Sequence, residues 1–143
     1  REALESGGIL GFPLVQLRVR ILGAVFRPQE STGPAYTAAS AMAFQAALEK
    51  AGVTILEPVM RFEIQIPDAY YGPVSTDLGK RRASIREVAI EHELRVLRGN
   101  VPLAEVFGYS GNLRSLTQGR GAISLEPESY APVPEAIATR FRL

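Results

Sequence analysis

Met60-Arg61-Phe62-Glu63-Ile64-Gln65-Ile66 alternates apolar and polar side chains at every step. Successive side chains of an extended chain project to opposite faces. The stretch therefore reads as a β-strand with Met60, Phe62, Ile64 and Ile66 turned to a core and the charged and amide side chains turned away. The residues after it have periodicities of their own. Asp68 is placed to cap a helix running to about Arg82, in which Pro73 must sit in the first turn or kink the helix. Two strands come next, about Ser84–Ile90 and Glu93–Val101. A helix after Pro102 has Leu103, Val106, Phe107, Leu113 and Leu116 as its apolar set and is weakened by Gly108 and Gly111. A last strand alternates Gly121, Ile123 and Leu125 with Ala122, Ser124 and Glu126, ahead of a Pro-rich turn and a short helical tail. The order βαββαβ over residues 58–133 is that of a ferredoxin-like sandwich, with 134–143 as the tail.

Upstream of the strand the pattern differs. Glu5-Ser6-Gly7-Gly8 and Gly11-Phe12-Pro13 are turn chemistry, and Val15, Leu17, Val19 and Ile21 alternate with Gln16, Arg18 and Arg20 as a half-buried strand would. Arg27 to Pro34 lacks periodicity and reads as a projecting loop. From Thr37 a helical stripe of Ala41, Phe44, Leu48 and Ala51 ends at Gly52, its alanines suited to close packing on a sheet. Val53–Leu56 reads as a short strand, and a boundary near Pro58 makes residues 1–57 a separate unit. The fold class is α+β.

Composition narrows the chemistry. The 143 residues are 46% apolar and 22% charged, as expected of a chain able to bury a core, and they contain no cysteine. Disulfides, thiolate catalysis and the commonest zinc sites are excluded. No apolar run approaches the roughly 18–20 residues of a spanning helix, and Arg1-Glu2-Ala3-Leu4-Glu5 does not open like a secretory leader, so the expectation is a cytosolic protein without a membrane partner. A net charge of +1 leaves any nucleic-acid binding to local patches. The densest are Lys80-Arg81-Arg82 with Arg86, then Arg95 and Arg98, Arg114 and Arg120, and Arg140 and Arg142. Glycines in a GxxxxGK[ST] pattern are absent. His92 is the single histidine and has no companion ligand for a metal, and Glu91 and Glu93 read as a solvent-exposed pair on one strand. From the residues alone the chain is a two-part α+β binding module.

The segment Pro102-Leu-Ala-Glu-Val-Phe-Gly-Tyr-Ser-Gly-Asn-Leu-Arg-Ser-Leu-Thr-Gln-Gly-Arg120 resembles the signature stretch in the last domain of elongation factor G, the ribosomal translocase. Leu56-Glu-Pro-Val-Met60 is similar to the family's join between its fourth and fifth domains. Asp77-Leu78 with Lys80-Arg81-Arg82 supports the same likeness, and Gly11-Phe-Pro13 and Ala38-Ala-Ser-Ala-Met-Ala-Phe44 resemble the fourth domain's second half. The resemblance implies that residues 1–57 are a partial unit like domain two of ribosomal protein S5 and that 58–133 are the fifth domain.

It also implies a ribosome-binding piece of a translational GTPase that promotes translocation of transfer RNA and messenger RNA. Such a piece, itself no enzyme, would need no cofactor, since GTP and Mg belong to upstream domains. The fifth domain would meet the sarcin-ricin loop and stalk base, and a tip loop the decoding region, with the whole factor a monomer. Arg114, Ser115, Gln118 and Arg120 offer guanidinium, hydroxyl and amide donors at a helix end, suited to ribosomal RNA, and Lys80, Arg81 and Arg82 form a second basic set.

At the tip the family's His-Asp-Val-Asp-Ser-Ser-Glu is replaced by Arg27-Pro-Gln-Glu-Ser-Thr-Gly33, putting Arg27, Gln29, Glu30 and Ser31 at the tip positions. Gly79 and Ala83 replace a usual asparagine and glycine, and Pro73 is atypical. The altered tip suits, as an alternative, a paralogue acting in ribosome recycling or in tetracycline-type ribosome protection. A freestanding small ferredoxin-like enzyme is the alternative from another class, and no compact catalytic cluster supports it.

Overall fold

The computed structural model describes residues 11–140. Their elements are α1 (Gly33–Ala51), β1 (Leu56–Pro67), α2 (Tyr71–Lys80), β2 (Ser84–Glu91), β3 (Leu94–Pro102), α3 (Tyr109–Leu116), β4 (Ala122–Pro132) and α4 (Glu135–Ala138). Single 3-10 turns, Asp68–Tyr70 and Leu103–Glu105, precede α2 and α3. The chain divides into two compact units, one of residues 55–133 and one of 1–54 with 134–143. None of the described helices is long and apolar enough to cross a membrane.

Residues 55–133 form a four-stranded antiparallel sheet in the order β2-β3-β1-β4, the ferredoxin-like arrangement. The alternation of β1 decides its two faces. Phe62, Ile64 and Ile66 are buried together with Leu97 and Val101 of β3, under Val74 and Leu78 of α2 and Tyr109 and Leu113 of α3. Arg61, Glu63 and Gln65 project from the opposite face. In register Phe62 meets Gly99, Ile64 meets Leu97 and Ile123, and Glu63 meets Arg98, so neighbouring strands repeat the division.

Several expectations are corrected. β1 is one strand from Leu56, so Pro58 lies inside it opposite Tyr130, and Val53–Leu56 forms no strand of its own. Pro58 is tolerated near a strand end. Asp68 does not cap α2, because its carboxylate accepts from the Arg95 guanidinium instead. The expected Asp68–Arg82 helix is a 3-10 turn followed by α2, with Pro73 in the first turn of α2. Glu93 belongs to no strand: with His92 it makes the two-residue β2–β3 turn, both at positive φ, so Glu91 and Glu93 do not share a strand face. The left-handed Gly108 separates the second 3-10 turn from α3 and leaves Phe107 74% exposed rather than in the apolar set. β4 runs past the expected turn to Pro132, with Pro127 accommodated beside a bulge on an edge strand.

In the other unit α1 starts behind Thr32, whose hydroxyl accepts from the Ala35 N–H at 3.3 Å, and ends at Gly52. No residue of α1 is fully buried, and only Phe44 and Leu48 of its expected stripe are half-buried. The expected strand at Val15–Ile21 is not formed. Among the described residues no backbone hydrogen bond holds this segment, and Ile21 is 82% exposed. Alternation alone does not make a strand, because backbone N–H and C=O groups need a neighbouring ladder. The turn expected at Glu5–Gly8, and Arg142, lie outside the described residues.

Gly99 marks a close approach of β3 to β2 and to the Phe62 ring. A Cβ there would sit 2.0 Å from the Ser84 carbonyl oxygen and 2.9 Å from the Phe62 ring. Gly99→Ala is expected to lower the stability of residues 55–133 by about 2 kcal/mol or more, since the obstruction includes backbone. Chemical denaturation of the two chains checks this.

Candidate nucleic-acid interface

α3 buries Tyr109 and Leu113, four residues apart, and this spacing turns Arg114 and Ser115 to solvent. The helix then ends abruptly. The buried Thr117 hydroxyl donates to the Leu113 carbonyl at 2.7 Å and accepts from the Gly121 N–H at 2.8 Å. Between these anchors Gln118 and Gly119 take φ of 52° and 78°, and the Gly119 N–H donates to the Arg114 carbonyl at 2.7 Å. Glycine enters this left-handed region freely, whereas a β-carbon makes it costly for glutamine. The turn gathers Arg114, Gln118 and Arg120 at one exposed helix end. Ser115 also lies on this end, its hydroxyl donating back to the Gly111 carbonyl at 3.2 Å.

Among the described residues Arg114 and Arg120 have no ion-pair partner. Unpaired guanidinium groups on a fixed turn can make two-pronged contacts to phosphate, and the Gln118 amide can donate or accept beside them. The geometry suits recognition of a folded RNA backbone by shape.

The second basic set is split by the structure. Lys80 is exposed at the end of α2 and unpaired among the described residues. Arg81 is engaged three ways: it bonds Asp77 at 2.8 Å, donates to the Glu105 carbonyl at 2.8 Å, and lies 4.7 Å above the centroid of the Tyr109 ring. Arg82, at a φ of 57°, grips both oxygens of Glu57 at 2.7 and 3.0 Å and bonds Glu105 at 2.9 Å. The hydrogen bond to Glu57, more than that to Glu105, raises its pKa well above the usual arginine value despite the opposing effect of burial. These two arginines hold the end of α2 against β1 and the Leu103–Glu105 turn, so their guanidinium groups are already engaged within the domain.

The tip residues lie in the other unit and form a single turn. Arg27 pairs with Glu30 at 3.1 Å, its N–H donates to the Ser31 hydroxyl at 2.7 Å, and Gln29 is exposed. Sequence reasoning missed Glu57 and Glu105 as partners of Arg82. They lie 25 and 23 residues away, and no local spacing announces such contacts. The Asp77–Arg81 pair was available from its i,i+4 spacing. Among the described residues no three metal-ligating side chains converge.

Among known proteins, the profile described as "Elongation factor G, domain IV" matches residues 1–52, and that described as "Elongation factor G C-terminus" matches residues 54–141. A crystal structure of a protein from Thermus thermophilus is similar at a TM-score of 0.85 and 34% sequence identity. The match covers 98% of this chain and 21% of that one, so the present chain spans about a fifth of that protein's length.

Two predictions separate structural from available cations. Arg82→Ala leaves two largely covered carboxylates unmatched and is expected to cost about 1–3 kcal/mol, whereas Lys80→Ala should change stability by less than about 0.5 kcal/mol, as read by urea midpoints. Burial, aided by Asp77 and opposed by Arg81, pushes the Tyr109 phenol up to about 12 from 10.0. Ionisation is thus harder in the folded chain, and the stability this phenol contributes is complete below the ordinary tyrosine value and lost as pH rises through the shifted one. Comparing wild type with Tyr109→Phe between about pH 9 and about pH 12 should show the wild type losing more stability.

Proposed function

This chain belongs to the elongation factor G family, and from that premise we propose that it is the ribosome-engaging end of a translational GTPase that moves transfer RNA and messenger RNA through the ribosome. The two matched regions, domain IV and the C-terminus, account for nearly the whole chain. The GTPase site, with its nucleotide and Mg, belongs in this reading to upstream parts of a longer protein working in the cytosol. The present chain supplies contacts rather than catalysis.

The observation that carries the reading is the α3 end, where Arg114 and Arg120 are exposed and have no ion-pair partner among the described residues, beside the left-handed Gln118. Sparsely populated backbone geometry is kept where the surroundings over-determine it, and such positions cluster at functional sites. In this proposal Arg114 and Arg120 neutralise phosphates of large-subunit RNA at the sarcin-ricin loop and stalk base, while Ser115 and Gln118 reach sugar or base edges. Lys80 adds a separate point charge, and Arg81 and Arg82 act as positioning residues rather than RNA ligands. The tip turn of Arg27, Gln29, Glu30 and Ser31 is the part directed to the decoding region.

One observation favours a second reading within the family. The tip turn is closed by an internal Arg27–Glu30 ion pair, and Arg27 stands where the family carries histidine. A tip of changed charge fits a paralogue acting in ribosome recycling or protection. Complementation of a translocase-deficient strain by the full-length parent separates the two roles.

Ribosome binding across a salt series tests the docking site. The chain carrying Arg114→Ala with Gln118→Ala is expected to bind about tenfold more weakly, with a salt slope shallower by about one, because one phosphate contact and its released counterion are lost. Equal affinity and slope in a folded double variant would refute this site.

A further inference from the structure

A glutamine stands where the end of α3 favours glycine. The Gly119 N–H bonds the Arg114 carbonyl at 2.7 Å, the long bond of a Schellman helix end, and this puts Gln118 at the left-handed position that follows such a helix. Glycine is the usual residue there, because a β-carbon at a φ of 52° carries a cost in backbone strain. Such strain persists only where the surroundings over-determine it. Gln118 is itself exposed, so the constraint must come from its neighbours.

It comes from a clasp beneath the turn. Thr117 is fully buried, and its hydroxyl ties the last turn of α3 to the chain leaving it, donating to the Leu113 carbonyl at 2.7 Å and accepting from the Gly121 N–H at 2.8 Å. The Leu113 carbonyl also takes the Thr117 N–H at 3.0 Å, so backbone and hydroxyl of one residue share an anchor. Gly121 is the other half of the clasp. It is not in the left-handed region, so conformational freedom does not explain a glycine there. Close approach does: a Cβ would lie 2.8 Å from Thr117 Oγ1, 3.0 Å from Leu113 Cγ and 3.1 Å from the Thr117 methyl. Thr117 and Leu113 are both buried and have little room to give way. At Gly119, in contrast, a Cβ would meet nothing within 4 Å.

We infer that Thr117 and Gly121 are positioning residues for RNA docking, their clasp holding the left-handed turn that sets the directions of Arg114, Gln118 and Arg120. The inference rests on the docking site proposed above and goes beyond it, since it assigns affinity to two residues that offer RNA no side-chain contact. The clasp acts on the population of the binding-competent turn. Without it the turn samples other conformations and apparent affinity falls with the competent fraction, while the phosphate contacts made in the bound state are unchanged. Loss of the clasp therefore weakens binding at an unaltered salt slope, whereas loss of a phosphate ligand flattens the slope.

Amide hydrogen exchange and ribosome binding across a salt series, both on the full chain, test the clasp. In the wild type the Gly121 amide is expected to exchange about a hundredfold or more slowly than in an unfolded chain; exchange at the unfolded rate would overturn the inference without any variant. Thr117→Val keeps the side chain's shape and removes the hydroxyl. It is expected to bind ribosomes about fivefold more weakly at the wild-type salt slope, and Thr117→Ser, which keeps the hydroxyl, to bind within about twofold of wild type. Gly121→Ala obstructs the clasp from its other side and is expected to match Thr117→Val. Wild-type affinity in a folded Thr117→Val chain, when Arg114→Ala with Gln118→Ala is weakened, would overturn the clasp and leave the docking site standing. Equal weakening in Thr117→Ser, or a flattened slope in Thr117→Val, would overturn it too. A double variant that binds like wild type would remove the docking site and the clasp's role in it together.

Discussion

β1 is hydrogen-bonded along both edges, to β3 on one side and β4 on the other, and both of its faces are occupied. A strand in that position must match two neighbours in register at once, and a slip of one residue would put Phe62, Ile64 and Ile66 among the charges and Arg61 and Glu63 into the core. Everything else in residues 55–133 is arranged around that constraint. The core face takes α2 and α3. Gly99 lets β2 and Phe62 approach where any side chain would obstruct them, and the opposite face is stitched by Arg98 and Arg61 to their carboxylates. The Arg98 hydrogen bond, followed by that from Gln65, holds the Glu63 carboxyl below the usual range, so this stitching favours the charged form.

Arginine serves opposite purposes in this domain, and burial with partner supply decides which. Arg81 and Arg82 are partly covered and meet Asp77, Glu57, Glu105 and a tyrosine ring, so removing them leaves charges or donors unmatched. Arg114 and Arg120 stand on an exposed turn with no carboxylate partner among the described residues, where their removal affects a partner more than the fold. The rigid turn formed by Thr117, Gln118 and Gly119 is what makes the second pair useful, because a phosphate contact gains most when the side chains' origins do not move. The Arg81 and Arg82 contacts perform the same service for the Leu103–Glu105 turn from which α3 is launched.

The other unit shows what alternation lacks when it stands alone. Val15, Leu17, Val19 and Ile21 have the same period as β1, yet they form no strand among the described residues, and α1 has no fully buried residue. The period is a property of the chain, whereas the ladder requires a second segment.

Local pattern determined a good deal. The period-two run of β1, the glycines and prolines between elements and the helical spacing of Leu113 and Leu116 were enough for the α+β class and the ferredoxin-like order. A long motif from Pro102 to Arg120 carried the family. These signals are legible because they arise within a few residues, where backbone geometry translates spacing directly into facing. Tertiary structure decided the rest: that Asp68 serves Arg95 rather than capping a helix, that Arg81 and Arg82 are bound within the domain while Lys80 has no ion-pair partner among the described residues, and that Asn100 Oδ1 lies without a hydrogen-bond partner on a charged sheet face. Each depends on groups more than twenty residues apart or on a face shared by several strands, and only closure of the sheet brings such groups within hydrogen-bonding range.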